Sequence, residues 1–525
     1  MEETMQDLQT LRHKALELLL MEEWKSSIHL YDQFISLCET RLSNTHSDPG
    51  DENVSKINKS LCLAFCNRAE ARFRLRDFSL ALDDCDRALE LERGHFKTLL
   101  CKGKILLHLH RYAKASDCFK LALELHKNTE MNGFLSRCKK LEFQSRTGHF
   151  DLTDWVLNGF RGKTPELAEY VGPVQIKESE NGGRGLFATK NVEAGSLLVV
   201  TEALAVGRAI LPEAGDDSSR SAHLAMWKDF VEKILDASAK CKRTLHLIYM
   251  LSMGEDDQDL KVPEMNLFRP DAEDHFFHEE KPDTDRILKI LDVNSLTEDS
   301  VSANVLGRNM DYCAVGLWIL PSFINHACNP NARRLHIGDH IVVHTSRDVK
   351  AGEEISFAYF DVLLPLKKRR EIAKTQWGFC CNCRRCRFED VIFCKEDMRE
   401  IERRFESGPD MDEVAVRLEE LMKKWILVKG TEKGFLRASF WAAFADVIAS
   451  ERLTRRVGRR IPAVEMLVNN AAEATGADHR LLKLLVERLQ KNNGGTETEC
   501  VMKLARGVFG KVVKQQAMRM LCLNV

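Results

Sequence analysis

Three short stretches in the second half of the chain carry most of the information about its fold. They are Asn325-His-Ala-Cys-Asn-Pro-Asn331, Gly352-Glu-Glu-Ile-Ser-Phe-Ala-Tyr-Phe-Asp361 and Trp377-Gly-Phe-Cys-Cys-Asn-Cys-Arg-Arg-Cys386. A fourth stretch, Asn181-Gly-Gly-Arg-Gly-Leu-Phe187, precedes them. Alone it is weak evidence, because conformationally free glycines are common in loops. The four stretches become informative when they are interpreted together and in this order.

The third stretch contains a cysteine cluster that differs from the other cysteines. The chain has 17 cysteines, and most are scattered singly on apolar helical faces, which predicts small core residues in a reducing compartment. In contrast, Cys380, Cys381, Cys383 and Cys386 have the close spacing of metal ligands. Spacing alone permits either Cys380 or Cys381 as the first ligand. A redox C-x2-C pair is disfavoured, because no thioredoxin-like βαβ pattern surrounds it.

Around these stretches the sequence predicts β-structure. From Val174 onward, short apolar runs are broken by turn-forming residues such as Asn181-Gly-Gly183 and Ala194-Gly195, which is typical of short strands. The predicted strands are VQIKES (174–179), LFATK (186–190), SLLVVTEAL (196–204) and the segments 316–324, 341–345 and 354–360.

Helical patterns lie between and after these strands. Residues 221–252 have helical periodicity, and the polar, acidic residues 254–285 predict a solvated surface insertion. Lys367-Lys-Arg-Arg370 falls on a predicted helix, where a solvated face is favoured over a nuclear import signal. Beyond Phe388 the pattern is helical to the end. The fold class is therefore α+β, with several domains.

The N-terminal part of the chain repeats. Ala69 matches Gly103 and Ala88 matches Ala122, a period of 34 residues that also aligns other positions. An earlier copy has the same phase, followed by a predicted loop from about Ser43 to Asn58. Small residues at fixed positions let antiparallel helices approach closely, so the pattern resembles the tetratricopeptide repeat (TPR). A generic helical bundle is the alternative. We predict an α-helical TPR-like solenoid over residues 8–145.

Length and charge limit the possible functions. A chain of 525 residues is expected to form about two to four domains. Its net charge is −2, so no global field attracts it to nucleic acid or to an anionic membrane. The N-terminus lacks the pattern of a secretory signal, and no apolar run reaches the ~18 residues of a membrane span. We therefore expect a cytoplasmic and/or nuclear protein, with no membrane or direct nucleic-acid partner.

Taken together, the four stretches resemble the SET domain, and within it the SMYD-like group, whose SET sequence is split by an insertion. The resemblance covers about residues 174–388. Only Cys241 and Cys313 lie between Gly185 and Cys328, so the MYND zinc finger common in this group is absent. The implied organisation is a SET domain at 172–361 with an insertion at about 208–302, a post-SET zinc segment at 362–390 and a helical domain at 391–525.

The resemblance implies a protein-lysine N-methyltransferase that uses S-adenosyl-L-methionine on histone or non-histone substrates. Several positions match cofactor-contacting residues of the family, among them glycines that let the backbone approach the cofactor. Asn304 holds one such role, for which Asn309 competes. The implied cofactor-binding residues are Gly183, Arg184, Gly185, Asn304, Ser322, Asn325, His326, Tyr359 and Phe379.

The resemblance also assigns the catalytic residue and the lysine channel. Tyr359 matches the catalytic tyrosine, whose hydroxyl aligns the amine with the methyl group, while Trp377 and Phe379 match the aromatic channel walls. A lysine amine, with an ordinary pKa of about 10.4, must lose its proton before it attacks. Close relatives often have Tyr in place of Trp377. An indole N–H donates but cannot accept a hydrogen bond, which leaves the number of transferred methyl groups open.

A structural zinc ion is the second implied cofactor. In the family a cysteine in the Asn-His stretch completes the set, so the implied ligands are Cys328, Cys381, Cys383 and Cys386. The TPR-like units imply protein partners. Two alternative functions stay open: a SET and TPR scaffold without catalysis, and a SET-fold methyltransferase that acts on histidine.

Overall fold

The structure is a computed structural model whose chain divides into two compact units. The first comprises Met1–Thr147, Asp236–His246 and Pro270–Pro282, and the second comprises Gly148–Leu235, Leu247–Arg269 and Asp283–Val525. Among the described residues, none of the helices combines the length and apolar character that crossing a bilayer requires. The structure describes residues 2–44, 52–126, 129–158, 165–180, 183–210, 217–254, 260–269, 281–298, 302, 312–408, 410–424, 430–491 and 499–524.

Antiparallel helices form the first unit. Small residues line their contacts: Ala69, Ala81 and Ala115 are fully buried, and a methyl group on Gly103 would lie 2.6 Å from the Phe119 ring. The helices are α1 (Glu2–Leu20), α2 (Trp24–Asn44), α3 (Glu52–Arg74), α4 (Phe78–Leu91), α5 (Phe96–His108), α6 (Tyr112–Leu125) and α7 (Thr129–Thr147).

The three helical hairpins turn in the same way. Glu22, Arg76 and His110 stand at equivalent turns, and each has a positive φ close to 60° (62°, 62° and 58°). At each turn the next amide also donates back to the carbonyl five residues earlier, as in a Schellman helix end. The positions of Arg76 and His110 follow the 34-residue period. The predicted TPR-like helical region is therefore confirmed.

The predicted loop at about 43–58 is wrong in its second half. Helix α3 begins at Glu52, so residues 52–58 are helical, and residues 45–51 lie outside the described residues. Lys56 pairs with Glu52 one turn earlier at 2.8 Å, and Ile57 packs against the core of α1–α3. Both contacts follow helical spacing, which extends the amphipathic pattern backwards from Leu61.

The second unit contains the β-structure. The sheets have the strand orders β1-β4-β10-β9, β2-β3-β11-β8 and β5-β7-β6. The strands are β1 (Tyr170–Val171), β2 (Val174–Glu178), β3 (Arg184–Ala188), β4 (Leu197–Glu202), β5 (Ala205–Ile210), β6 (Leu296–Thr297), β7 (Tyr312–Leu317), β8 (Asn325–His326), β9 (Ala332–Ile337), β10 (His340–Thr345) and β11 (Glu354–Phe357).

Along the chain, helices precede, separate and follow these strands. The 3-10 turn Pro321–Phe323 replaces the end of the strand predicted at 316–324, because Pro321 has no N–H to donate to a neighbouring strand. The helices are α8 (Thr153–Asn158), α9 (Asp217–Lys240), α10 (Lys242–Tyr249), α11 (Thr284–Asn294), α12 (Leu366–Trp377), α13 (Arg384–Phe393), α14 (Glu396–Ser407), α15 (Met411–Lys424), α16 (Gly430–Ser439), α17 (Trp441–Ala449), α18 (Glu451–Val457), α19 (Val464–Thr475), α20 (His479–Lys491), α21 (Glu499–Phe509) and α22 (Gln515–Asn524).

This architecture has an N-terminal helical region, a β-rich middle and C-terminal helices, so the α+β multidomain class is confirmed. Most predicted strands fall on observed ones, although SLLVVTEAL is divided between β4 and the start of a turn before β5. Residues 255–259 and 270–280 of the predicted acidic insertion lie outside the described residues.

Candidate active site

Strand register brings the stretches of the sequence together. In the second sheet, β11 pairs in parallel with β8, so that Ser356 lies beside Asn325 and Phe357 beside His326. The other edge of β11 pairs antiparallel with β3, which places Ile355 beside Leu186. The Asn-His strand, the Gly-Glu-Glu-Ile strand and the strand that follows the glycines are therefore neighbours in one sheet.

Asn325 is held by a carboxylate that the sequence analysis did not assign. Its Nδ2 donates to Glu354 Oε1 at 2.7 Å and to the Arg184 carbonyl at 3.1 Å. The other oxygen of Glu354 accepts from Ser179 Oγ at 3.0 Å. A Cβ on Gly185 would lie 2.3 Å from Glu354 Oε1 and 3.1 Å from Asn325 Nδ2. Only glycine at position 185 leaves room for this pair.

His326 connects the tyrosine to the cysteine cluster. The Tyr359 amide donates to His326 Nδ1 at 3.1 Å, so this nitrogen accepts and the ring proton is on Nε2. Nε2 lies 3.3 Å from Cys328 Sγ and donates to it. The ring also stacks on Phe360, with centroids 4.4 Å apart. Its orientation is therefore fixed from three sides.

The Tyr359 hydroxyl is neutral, and the Tyr359 ring lies among other aromatic side chains. Its Oη donates to the Ile324 carbonyl at 2.9 Å, and burial raises the pKa of Tyr359 well above its ordinary value. The ring centroids of Trp377 and Phe379 lie 5.5 Å and 6.3 Å from the Tyr359 centroid. The proton stays on the phenol at neutral pH and is directed at Ile324, so the oxygen lone pairs can accept a bond from a ligand.

A cavity of about 890 Å³ joins these residues. It is lined by nearly all described residues that the resemblance assigned to the cofactor site or the lysine channel. Gly185 lies beside the cavity. Asn304 and the alternative residue Asn309 lie outside the described residues. The assigned residues in the lining are Gly183, Arg184, Ser322, Asn325, His326, Tyr359, Trp377 and Phe379.

The lining also contains acidic residues that sequence reasoning missed. Glu178, Glu180 and Glu354 face the cavity, whereas Arg184 donates to the Lys261 carbonyl at 3.0 Å and lies over the Phe323 ring. Glu354 belonged to the quoted Gly-Glu-Glu-Ile stretch, which was the available signal. Nothing in the local pattern distinguishes Glu178 and Glu180 from ordinary surface carboxylates.

The cysteine cluster lies next to this cavity. Cys328, Cys381, Cys383 and Cys386 have sulfur atoms within 4.8 Å of one another, and Cys328 and Cys386 are fully buried. Cys380 is exposed and stands outside this group. The hydrogen bond from Cys381 lowers the pKa of Cys328, while hydrogen bonding to Cys328 raises the pKa of Cys381 and of Cys386. Four close sulfur atoms match the donor set of a tetrahedral structural zinc site.

A buried charged network supports the cluster. Arg369 donates to Cys386 Sγ at 3.3 Å and pairs with Glu389, while Arg385 donates to the Cys328 carbonyl at 3.1 Å and to Ser439 Oγ at 2.8 Å. Arg369 is 1 % exposed. The prediction that Lys367–Arg370 forms a solvated face is therefore wrong for Arg369, because its guanidinium faces the thiol groups and not water.

The C-terminal helices contact the same region. Arg480 makes a bidentate pair with Asp361, at 2.8 and 2.7 Å, two residues after Tyr359. Asn329, three residues after His326, donates to the carbonyls of Glu473 and Ala474 at 3.0 Å each. The α19–α20 turn thus holds both stretches that carry the central site residues. The sequence analysis had given these helices no role in the site.

Comparison with known proteins agrees with this geometry. Residues 183–360 match the SET domain family. A Gibberella zeae protein named "Methyltransferase" is 28% identical over 352 residues, covering 62% of this chain and 46% of that protein. Human "Histone-lysine N-methyltransferase SMYD3" is 30% identical over 118 residues, covering 22% of this chain and 28% of that protein. The chain thus spans less than half the length of these curated relatives.

Among solved structures, "First TPR of Spaghetti (RPAP3) bound to HSP90 peptide SRMEEVD" is similar at 23% identity with a TM-score of 0.21, covering 26% of this chain and 92% of that chain. The SET match includes strand β8, which carries Asn325, and strand β11, which ends two residues before Tyr359.

Proposed function

We propose that this chain, in which residues 183–360 form a SET domain, is an S-adenosylmethionine-dependent protein-lysine N-methyltransferase. One observation carries the proposal: a single cavity joins the Asn325-His326 strand, the Tyr359 hydroxyl and the Trp377–Phe379 aromatic pair. These are the parts that a methyl transfer to an amine needs, namely a cofactor cradle, an acceptor for the amine and walls that exclude water.

The residues fit the proposed cofactor in size, shape and charge. The cavity volume is within the usual range for small-molecule sites, roughly 300–1,000 Å³. Gly183 has a positive φ and open space beside it, so the backbone there can approach a ligand closely. The carboxylates of Glu178, Glu180 and Glu354 favour a cationic ligand. When bound, S-adenosylmethionine supplies a methyl group on a positively charged sulfur.

The cavity also suits a lysine side chain. Trp377 and Phe379 offer apolar surface to the aliphatic stem, and removal from water lowers the pKa of a lysine amine toward its reactive, neutral form. The Tyr359 proton is donated to Ile324, so the Tyr359 oxygen accepts an N–H from the amine and fixes the direction of the nitrogen lone pair. Tyr359 acts through position and polarity, because its raised pKa keeps the phenol protonated at neutral pH and leaves no phenolate to act as a base.

Zinc is the second proposed cofactor, held by Cys328, Cys381, Cys383 and Cys386. When bound, it would join the Asn-His stretch to the segment that carries Trp377 and Phe379. His326 and Arg369 each donate to one sulfur of the group, which reduces the negative charge of a four-thiolate site. We further propose that the helical repeats bind protein partners, and the location in cytoplasm or nucleus stays a prediction.

The test is methyl transfer by the full-length protein from radiolabelled S-adenosylmethionine to histones, fractionated lysate and a peptide library in which lysine or histidine is the acceptor. We expect transfer to lysine and cofactor binding by calorimetry. Transfer to histidine alone would replace the acceptor in the proposal. Absence of cofactor binding by folded protein would leave a scaffold function instead.

A further inference from the structure

The first unit contains a second group of metal-ligating side chains, far from the SET match in sequence. Cys62, Glu92 and His95 each place one ligand atom within 4.8 Å of the others. Cys62 is fully buried in α3, Glu92 caps the end of α4, and His95 caps the start of α5. Helix α3 and the turn between α4 and α5 therefore bring a sulfur, an oxygen and a nitrogen donor together.

Local bonds hold two of these donors in place. The His95 amide donates to the Glu92 carbonyl at 3.1 Å, which closes the short turn between α4 and α5. His95 Nδ1 lies 2.7 Å from the hydroxyl of Thr98, which is fully buried. A histidine that binds a metal through one ring nitrogen almost always has a hydrogen bond at the other. The Thr98 bond fixes the orientation of the His95 ring beside Cys62 and Glu92.

The next repeat is an internal reference. One 34-residue period after Cys62, Glu92 and His95 stand Phe96, His126 and Thr129. Phe96 and His126 meet there as an edge-to-face ring pair, with centroids 4.8 Å apart and planes at 75°. Among the described residues of this junction, a ring pair therefore takes the place that the donor atoms have at the first junction. The donors of the first junction are not required by the repeat fold.

We propose that Cys62, Glu92 and His95 bind one zinc-class divalent cation, with water in the fourth position. Sulfur, imidazole and carboxylate are all zinc ligands, and three protein ligands plus water is a known arrangement for this ion. Glu92 is exposed, so the solvent side of the group is open. A bound ion would tie α3 to the α4–α5 turn and make the stiffness of the repeat depend on metal.

The experiment is zinc titration of the full-length protein by calorimetry, with metal analysis after dialysis against a weak chelator. His95→Gln and Cys62→Ser should each lose one zinc equivalent per chain relative to wild type. His126→Gln, one period after Glu92 at the junction of the next repeat, should lose none. We also expect added zinc to raise the melting temperature of wild type more than that of His95→Gln.

These readouts are independent of methyl transfer and of the Cys328 group. Equal zinc stoichiometry in wild type, His95→Gln and a folded Cys62→Ser protein would overturn the proposal. So would the loss of one equivalent in His126→Gln. Circular dichroism establishes folding for each variant, and His95→Gln, which changes only a half-buried capping side chain, keeps the test decisive if Cys62→Ser fails to fold.

Discussion

The first compact unit, which contains the helical repeats (the repeat unit), and the second, which contains the SET match (the SET unit), use their side chains in opposite ways. In the repeat unit, one arrangement occurs three times: Glu22, Arg76 and His110 stand at equivalent turns with nearly the same φ. In the SET unit each site residue occurs once and comes from its own segment. Asn325, Tyr359 and Cys381 meet only because β8 and β11 are neighbours and the following chain folds back onto them.

Substitutions in the two units should therefore have different effects. In a repeat, each residue supports its neighbouring helices, so an altered residue should change local stability. In a convergent site, one residue joins several segments and also faces the ligand. Its loss should change metal content, cofactor affinity or rate.

Cys383→Ser should have the largest effect. It leaves three of the four sulfur donors, and structural zinc contributes on the order of 10 kcal/mol to folding in zinc-finger peptides. We expect the loss of one zinc equivalent, a lower melting temperature and weaker cofactor binding, since Trp377 and Phe379 precede the cysteines directly. Metal analysis, calorimetric unfolding and cofactor titration measure these three quantities.

The matched control for this prediction is Cys380→Ser. Cys380 is the neighbouring cysteine, and it is exposed and outside the sulfur group. It should keep its zinc and its melting temperature. Retention of zinc by Cys383→Ser together with its loss from Cys380→Ser would mean that the ligand set begins at Cys380 and that the described geometry is not the metal-bound one.

Tyr359→Phe should reduce the rate of methyl transfer by a factor of ~10² or more, the typical cost of removing a polar group aimed at a reacting centre. The ring and its contacts with Trp377 and His326 stay, so the cofactor dissociation constant should change little. Single-turnover transfer and cofactor titration are measured in parallel. Tyr170→Phe removes a phenol hydroxyl outside the cavity and should leave both quantities unchanged. Equal rates in the two variants would remove Tyr359 from the mechanism.

The same contrast explains how much of the structure the sequence predicts. The TPR-like fold follows from the 34-residue period, because helix contacts repeat in sequence as they do in space. Its one error, the loop at 43–58, lies where a single insertion interrupts the period. Residues 52–58 have ordinary helical spacing but no second copy with which to align them.

The site was predictable only where a whole stretch carries the information. Asn325, His326, Tyr359 and Cys328 lie in stretches whose order resembles a known family; the first three line one cavity, and Cys328 belongs to the sulfur group beside it. Arg369, Arg480 and Glu178 were missed, because their roles depend on segments far away in sequence: the Arg369 partners Cys386 and Glu389 lie in α13, and the Arg480 partner Asp361 lies before α12. A local charge pattern cannot distinguish such an arginine from a solvated one.

Gly103→Ala tests the repeat side of the comparison. The added methyl group would lie 2.6 Å from the Phe119 ring, so α5 and α6 must separate, which costs about 1–3 kcal/mol. Gly133→Ala in α7 meets nothing within 4 Å and should stabilise its helix by roughly 0.5–1 kcal/mol. Relative to wild type, amide hydrogen exchange in peptides from α5–α7 should be faster in Gly103→Ala and slower in Gly133→Ala. Both variants should keep wild-type cofactor affinity, and a large loss of affinity in Gly103→Ala would contradict the division of roles.

Glu354→Gln should have the smallest effect and tests the site side most finely. The carboxylate accepts from Asn325 at 2.7 Å and from Ser179 at 3.0 Å, and it faces the cavity with its charge. An amide keeps the shape but offers one acceptor, so one of these bonds weakens by about 1 kcal/mol and the cofactor should bind about fivefold less tightly. Titration at low and high salt should show a smaller salt dependence in the variant, because one negative charge is gone.

Glu353→Gln is the control for this last prediction, since it alters the adjacent residue of the same type. Glu353 holds Arg347 at 2.8 Å and Asn331 at 3.1 Å and is absent from the cavity lining. The pKa of Glu353 lies below its ordinary value despite the opposing effect of burial, because the Lys350 amide, Arg347 and Asn331 favour the ionised form. The stability it contributes is therefore present at neutral pH and is lost as the pH falls through that lowered pKa. Glu353→Gln should lower the melting temperature at pH 7 and leave cofactor affinity unchanged. If both variants weakened the cofactor equally, the effect would come from the β11 strand as a whole and not from the carboxylate that holds Asn325.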